Sequence, residues 1–186
     1  MRAAGYCLRP FNEGDAPRFV AAVVESMGTV GRWMSWAHSG YSERDALAWF
    51  AFCDAARDSG TAFEFGIFRE ADNLLVGGAG LNQFNWTNGF CNLGYWVRES
   101  AQRRGAATAA ARLLSLYAFA VLNQTRVEIV VAAGNEHSLG VAKNVGATHE
   151  CLARNRLRLH GEPVDAHVLA LVPPVTAVER SSREGT

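Results

Sequence analysis

Gly94-Tyr95-Trp96-Val97-Arg98-Glu99-Ser100-Ala101-Gln102-Arg103-Arg104-Gly105-Ala106-Ala107-Thr108 runs from the end of an apolar strand into the start of a helix. The strand ends at Val97 and the helix enters around Gly105. The first turn of a helix has four backbone N–H groups without intrahelical partners, at the positive end of its dipole. Such a turn receives anions, and glycine lets a phosphate approach the backbone. Arg103 and Arg104 add charge beside it. The stretch therefore reads as a pyrophosphate cradle; read for structure alone, it is a tight strand-to-helix turn with exposed arginines. It is not a Walker loop, because no G-x-x-x-x-G-K-[ST] occurs. Gly78-Ala79-Gly80 lacks a third glycine and lies within a strand pair, which excludes a Rossmann fingerprint.

Outward from this stretch, the pattern differs on the two sides. Downstream, residues 105–122 are apolar on nearly every side and rich in alanine, the pattern of a buried helix. Residues 126–132 are a β-branched run suited to a central strand. A short helix is expected over 138–144, stopped at Gly146, and then a hairpin of strands 151–160 and 164–172 joined at Gly161-Glu162-Pro163. Upstream, a first strand covers 6–10 and a helix capped by Asp15 reaches about Val24, with Pro17 in its first turn. Residues 30–41 are irregular and carry Trp33 and Trp36. Ser42-x-x-Asp45 is a weak capping box opening a helix to Asp58, which Gly60 stops. Strands at 62–69, 74–84 and 91–97 form an antiparallel meander. The order is that of an α/β fold: one domain over 6–172, with a mixed, mostly antiparallel sheet flanked by helices and a polar tail over 173–186.

Composition limits what such a domain does. Over 186 residues, 18 Lys+Arg balance 18 Asp+Glu, and 49% of residues are hydrophobic against 19% charged. That balance builds one core and excludes a disordered chain. It lacks the basic excess of a nucleic-acid binder, and no apolar run approaches a membrane span. No secretory leader is read at the start, and Cys7, Cys53, Cys91 and Cys151 are scattered without a C-x-x-C. They read as reduced packing residues of a cytoplasmic protein. The five histidines show no ligand spacing, so no metal site is expected.

A second motif lies downstream of the first. Asn135-Glu136-His137-Ser138 precedes Val141-Ala142-Lys143-Asn144-Val145-Gly146-Ala147. With G-Y-W at 94–96 and Q-x-x-G-x-A at 102–107, this combination resembles the GNAT superfamily of acyl-CoA-dependent N-acyltransferases, in particular its RimJ/RimL branch. The likeness covers roughly Leu8 to Val172. It implies a GNAT fold whose central strands splay apart. It implies that main-chain groups of Trp96, Val97 and Arg98 pair with the pantetheine arm of CoA. Gln102 belongs to the motif, and the N–H groups of Arg103, Arg104, Gly105, Ala106, Ala107 and Thr108 hold the pyrophosphate. Asn135 hydrogen-bonds the cofactor at the splay, Ser138 sits near the thioester sulfur, and Lys143 or Asn144 reaches the adenosine end. Acetyl-CoA is the default donor, with succinyl or longer acyl groups open. Family habit allows a homodimer.

Acyl transfer to an amine needs a neutral amine, a stabilised oxyanion and a protonated leaving thiolate. A backbone N–H near Val97 serves the oxyanion. Ser138 is the candidate acid; its structural role would be that of a helix N-cap. The base is missing from its family positions, because Asn92 stands where a glutamate commonly precedes the G-Y-W run and 154–157 carries no carboxylate. Glu128 and Glu64 remain, and Glu128, flanked by apolar neighbours, needs an arginine partner. Of Trp33 and Trp36, at least one is expected to line the acceptor cleft, with Asn92 beside it. A lysine of pKa ~10.4 is neutral about one time in a thousand at neutral pH, which costs roughly 4 kcal/mol; an α-amine of pKa ~7.8 costs well under 1 kcal/mol. A site without a base therefore suits a protein N-terminus or a weakly basic small amine. The alternative reading is a non-catalytic CoA-binding or protein-interaction module on the same fold.

Overall fold

The computed structural model describes residues 1–173, so the expected tail lies outside the described residues from 174 onward. Its elements in chain order are β1 (Arg2–Ala3), β2 (Tyr6–Arg9), α1 (Ala16–Glu25), α2 (Glu43–Asp58), β3 (Phe63–Arg69), β4 (Leu74–Asn85), β5 (Phe90–Val97), α3 (Ala106–Ala120), β6 (Arg126–Ala132), α4 (Glu136–Asn144), β7 (Thr148–Leu159) and β8 (Glu162–Leu171). The strands form one sheet in the order β1-β2-β3-β4-β5-β6-β8-β7. Every pairing is antiparallel except β5 with β6. The mixed α/β architecture expected from the sequence is therefore present. No helix among the described residues is long and apolar enough to cross a membrane.

The β5–β6 pair is short. Phe90, Cys91 and Asn92 register with Arg126, Val127 and Glu128, and the strands then part. The remaining five residues of β5 keep β4 on one side and have no strand on the other. This is the opened central pair that the resemblance implies.

Two cores flank the sheet. On one face, α3 presents Ala109, Ala110, Ala111, Leu114 and Ala118 to Leu81, Cys91, Leu93, Val127 and Ile129. Its small side chains let the helix lie close to the strands. On the other face, α1 and α2 bury Phe19, Val23, Phe50 and Cys53 against Phe68 and Leu75. The Ser42–Asp45 capping box forms as expected.

Three local expectations are corrected. Asp15 does not cap α1 with its side chain; it is 3% exposed and its carboxylate takes Arg9 at 2.7 and 2.8 Å and the Asn12 N–H at 3.0 Å. The helix expected from Ser138 begins at Glu136, because Asn135 is the N-cap and its Oδ1 accepts the Ser138 N–H at 3.2 Å. β7 starts at Thr148, three residues early, because β8 is long enough to pair with it there.

The end of α1 fixes the loop after β5. Glu25 accepts from the Arg98 guanidinium and from the Ser100 N–H at 2.7 Å, while Ser26 Oγ accepts the Glu99 N–H at 3.0 Å. The Arg98 guanidinium holds the Glu25 carboxyl down to about 2, against an ordinary 4.5. A carboxylate depressed in the folded state stabilises it at any pH above the ordinary value, and that contribution fades as pH falls through the folded value. Glu25→Gln should therefore lower stability at pH 7 by about 1–3 kcal/mol. The difference from the parent should shrink between pH 4.5 and about 2 in chemical unfolding series.

Candidate active site

The loop after β5 is built by backbone geometry. Arg103 and Gly105 both adopt positive φ, 60° and 84°, and a Cβ on Gly105 would meet nothing within 4 Å. The glycine is thus needed for its conformation rather than for clearance, and the space above it stays open. Ala109 N–H is the first of α3 to bond within the helix, to Gly105 at 2.9 Å, so the N–H groups of Ala106, Ala107 and Thr108 have no intrahelical partner. The Tyr6 hydroxyl pins the loop by donating to the Arg104 carbonyl at 2.9 Å. Arg103 and Arg104 are exposed, and Arg103 lies 3.4 Å from His137 Nε2. A cavity of about 420 Å³ opens beside this turn, lined by Gly105, Thr108, Arg112 and Asn144 among others. Arg112 holds the Asn144 carbonyl at 2.9 Å. Asn144 thus reaches the cavity, whereas Lys143 is exposed and does not line it.

The free edge of β5 is narrower than the resemblance implies. Arg98 N–H donates to Val76 at 2.8 Å, and a Cβ at Gly77 would collide with the Trp96 carbonyl. Both residues therefore turn their main chain toward β4. By strand alternation, Tyr95 and Val97 face the opening. The Val97 carbonyl already accepts from Gln102 Nε2 at 3.0 Å, whose amide also reaches Thr29 at 3.2 Å. Of the three main-chain positions expected to pair with pantetheine, only Val97 faces the opening, and Tyr95 joins it.

Across the opening, Tyr95 meets α4. Its hydroxyl donates to the Ser138 carbonyl at 3.0 Å and shares a second bond with Ser138 Oγ at 3.1 Å. Burial pushes the Tyr95 phenol up to about 12, with the Ser138 bond opposing in part. It is protonated throughout the neutral range.

A second space opens on the other face of the sheet. A cavity of about 570 Å³ is walled by Phe19, Trp36, Tyr41, Trp49, Phe52 and Trp96, over a floor containing Gly78, Gly94 and Glu64. Glu64 is the one carboxylate among its lining residues, and no lining side chain is cationic. Glu64 pairs with Gly80 across β3 and β4, and a Cβ at Gly80 would collide with the carboxylate. Glu64 is the acceptor end of an amide chain: Asn92 Nδ2 donates to Asn82 Oδ1 at 2.9 Å, and Asn82 Nδ2 donates to Glu64 Oε1 at 3.0 Å. Burial raises the Glu64 carboxyl above the ordinary range, and the Asn82 donation opposes this in part.

The remaining expected residues separate. Trp36 lines the cavity; Trp33 does not, and lies instead with Arg32 4.8 Å over its ring and its edge near Gly134. Asn92 is one amide behind the cavity wall. Glu128 is held by Arg126 at 3.0 Å, which also grips Glu150 at 2.7 and 2.5 Å, and it does not line the cavity. The arginine partner expected for it is present, and the carboxylate that lines the cavity is Glu64. Tyr95 was legible only as part of G-Y-W. The signal for Glu64 was the glycine alternation at 78 and 80, which clears the strand opposite it.

Residues 6–148 match the family described as Acetyltransferase (GNAT) domain. The candidate ribosomal N-acetyltransferase YdaF of Bacillus subtilis (strain 168) is 30% identical over 156 residues, 83% of this chain and 84% of that protein. The structure of a candidate ribosomal-protein-serine acetyltransferase from Vibrio cholerae superposes with a TM-score of 0.80 at 29% identity, covering 92% of this chain and 96% of that one. RimL, a ribosomal L7/L12 alpha-N-protein acetyltransferase solved with coenzyme A, shares the fold with a TM-score of 0.81 at 22% identity, over 91% and 95% of the two chains.

The Glu64–Gly80 approach is testable without an assay of activity. Gly80→Ala should destabilise the protein by about 1–3 kcal/mol, the usual cost of overpacking. In a Glu64→Ala background most of that cost should vanish, and a double-mutant cycle in chemical denaturation reads the coupling directly.

Proposed function

The chain belongs to the GNAT acetyltransferase family and is an acyl-CoA-dependent N-acetyltransferase; we propose that it moves an acetyl group from acetyl-CoA to a primary amine by direct attack in a ternary complex, with Glu64 as base and the Tyr95–Ser138 pair at the leaving sulfur. One observation carries this reading. The Glu64 cavity and the α3 anion site lie on opposite faces of the sheet, and the parting of β5 from β6 is the opening between them.

The unpaired N–H groups of residues 106–108, with Arg103 and Arg104 beside them, fit a pyrophosphate. The cavity lined by Thr108, Arg112 and Asn144 fits the adenosine end. Tyr95 and Val97 offer main-chain groups to the pantetheine arm. When bound, acetyl-CoA supplies an electrophilic carbonyl and a thiolate leaving group. Glu64 takes one proton from the acceptor ammonium, directly or through a water, and passes it to solvent. The neutral nitrogen bonds to the acetyl carbon, the C–S bond breaks, and the second nitrogen proton leaves as the amide forms. The Val97 N–H faces the oxyanion. A phenol near pKa 12 does not fully protonate a thiolate whose conjugate acid is near ~8.5. The Tyr95–Ser138 hydroxyls therefore act as donors that stabilise the developing thiolate, which takes its proton from solvent.

Glu64 changes two expectations. A preference for α-amines over lysine follows only where no base is present, and with a carboxylate in the cavity the distinction becomes one of fit. The non-catalytic alternative rested on the same absence and loses its support. An α-amino acceptor on a protein, of the kind the ribosomal relatives are named for, remains within this reading.

Glu64→Gln should lower kcat/KM by about 10²–10⁴-fold while leaving CoA binding intact. In the parent, kcat/KM should rise with pH through an enzyme group titrating above the ordinary carboxylate value. In the variant that limb should be gone, and the rate should follow the neutral fraction of the amine alone. Tyr95→Phe should lower kcat by roughly 10²-fold with KM for acetyl-CoA little changed. An unaltered pH profile in Glu64→Gln removes the base from this assignment.

A further inference from the structure

Resting on the transfer reading above, we propose that the acceptor cavity selects a primary amine carried on an aromatic or similarly bulky apolar body that bears no carboxylate. The walls and the floor argue this from different sides.

Two of the wall rings keep free surface while Phe19 is buried behind them. Trp36 is 40% exposed and Phe52 55% exposed, although both line a cavity. Trp36 stands at 5.5 Å and 68° to Trp96, Phe19 at 5.4 Å and 78° to Trp96, and Trp49 stacks on Phe52 at 5.3 Å. Edge-to-face pairs leave ring faces open to a further ring, and an apolar body placed there removes that surface from water. A serine or alanine at a chain end has too little side chain to cover it.

The floor has a single charge. Glu64 is partly buried, its one donor is an amide, and no lining side chain supplies a cation. A carboxylate in that setting is desolvated with one amide donor and no cation among the lining side chains to offset it. The cation that fits is one brought by the acceptor, an ammonium with rings on either side of it. The same arrangement excludes an acidic acceptor. A carboxylate next to the amine would enter beside Glu64 with no cation to meet it, so an arylalkylamine fits and the corresponding free amino acid does not. The same chemistry also occurs at a polypeptide whose first residue is aromatic, and the arms of the test separate the two sources.

The test is an acceptor panel on the parent protein with acetyl-CoA, read by thiol release and mass spectrometry. Its members are phenethylamine, tryptamine, ethylamine, phenylalanine, phenylalanine amide, and peptides beginning with Phe or Ser. Phenethylamine should exceed ethylamine and the Ser peptide in kcat/KM by on the order of 10²-fold or more, since each well-placed apolar group contributes roughly 10–200-fold. Phenylalanine should fall below phenethylamine by a similar factor, while phenylalanine amide should not. A Phe peptide exceeding phenethylamine would move the same chemistry to a polypeptide terminus. Trp36→Ala should raise KM for phenethylamine at least 10-fold. Tryptophan emission, titrated with phenethylamine in the presence of CoA, reads occupancy without turnover. Saturable binding with no acetylation would sink the transfer reading and leave the cavity assignment standing. Equal rates for ethylamine, the Ser peptide and phenethylamine would overturn the cavity assignment and leave transfer intact.

Discussion

The parting of β5 and β6 after three paired residues is the constraint on which the rest depends. Paired throughout, β5 would turn its main chain into a neighbour and Tyr95 would have no route to α4. Parted, it leaves Tyr95 and Val97 facing an opening whose far wall is Ser138 and whose lower end is the first turn of α3. The cost is five residues of strand without a second partner. It is offset by what fills or borders the gap: Gln102 on the Val97 carbonyl, Tyr95 on Ser138, and Leu139 and Ala142 of α4 packed into the α3-side core. A buried polar backbone has to be satisfied.

The second constraint is glycine spacing in β4 and β5. Strand residues two apart share a face. Gly78 and Gly80 share the acceptor face with Glu64, and a side chain at either would strike Trp96 or the carboxylate. Glycine in a strand interior weakens it. The weakening is local, because β4 is twelve residues long and paired on both sides. What the glycines release is volume, and the aromatic side chains of α1, α2 and the 26–41 segment enclose it.

Much of this was legible in the sequence, for physical reasons. The meander, the alanine-rich helix and the β-branched strand follow from periodicity, and the Ser42–Asp45 box from capping chemistry. The tight turn from β5 into α3 follows from a strand end and a glycine. What was not legible depends on register or on choices between equivalent local signals. Glu64 gains its role from Gly80, sixteen residues away, through a cross-strand pairing that composition does not encode. Asn135 and Ser138 are both good caps, and only the helix start decides between them. Trp33 and Trp36 sit in a segment of turns without a period, so nothing local says that one enters the cavity and the other turns toward Gly134. Glu128 stood out as a carboxylate in an apolar run, and Arg126, two residues away on the same face of the strand, absorbs it.

One stretch of chain serves both sides of the opening. Glu25 and Ser26 at the end of α1 hold Arg98, Glu99 and Ser100, and Thr29 takes the Gln102 amide, so these residues and Tyr6 together hold the loop after β5. The same stretch continues to Trp36, which closes the acceptor cavity, and its far side is clasped by the β7–β8 hairpin, where the His160 N–H donates to Ser35 Oγ at 3.0 Å. Displacement of this stretch would be felt both at the loop after β5 and at the aromatic wall. The Arg98–Glu25 pair is thus more than a local ion pair. It ties the turn before α3 to the stretch that carries Trp36, and in the proposed mechanism that tie governs how a nitrogen over Glu64 meets a carbonyl at Val97.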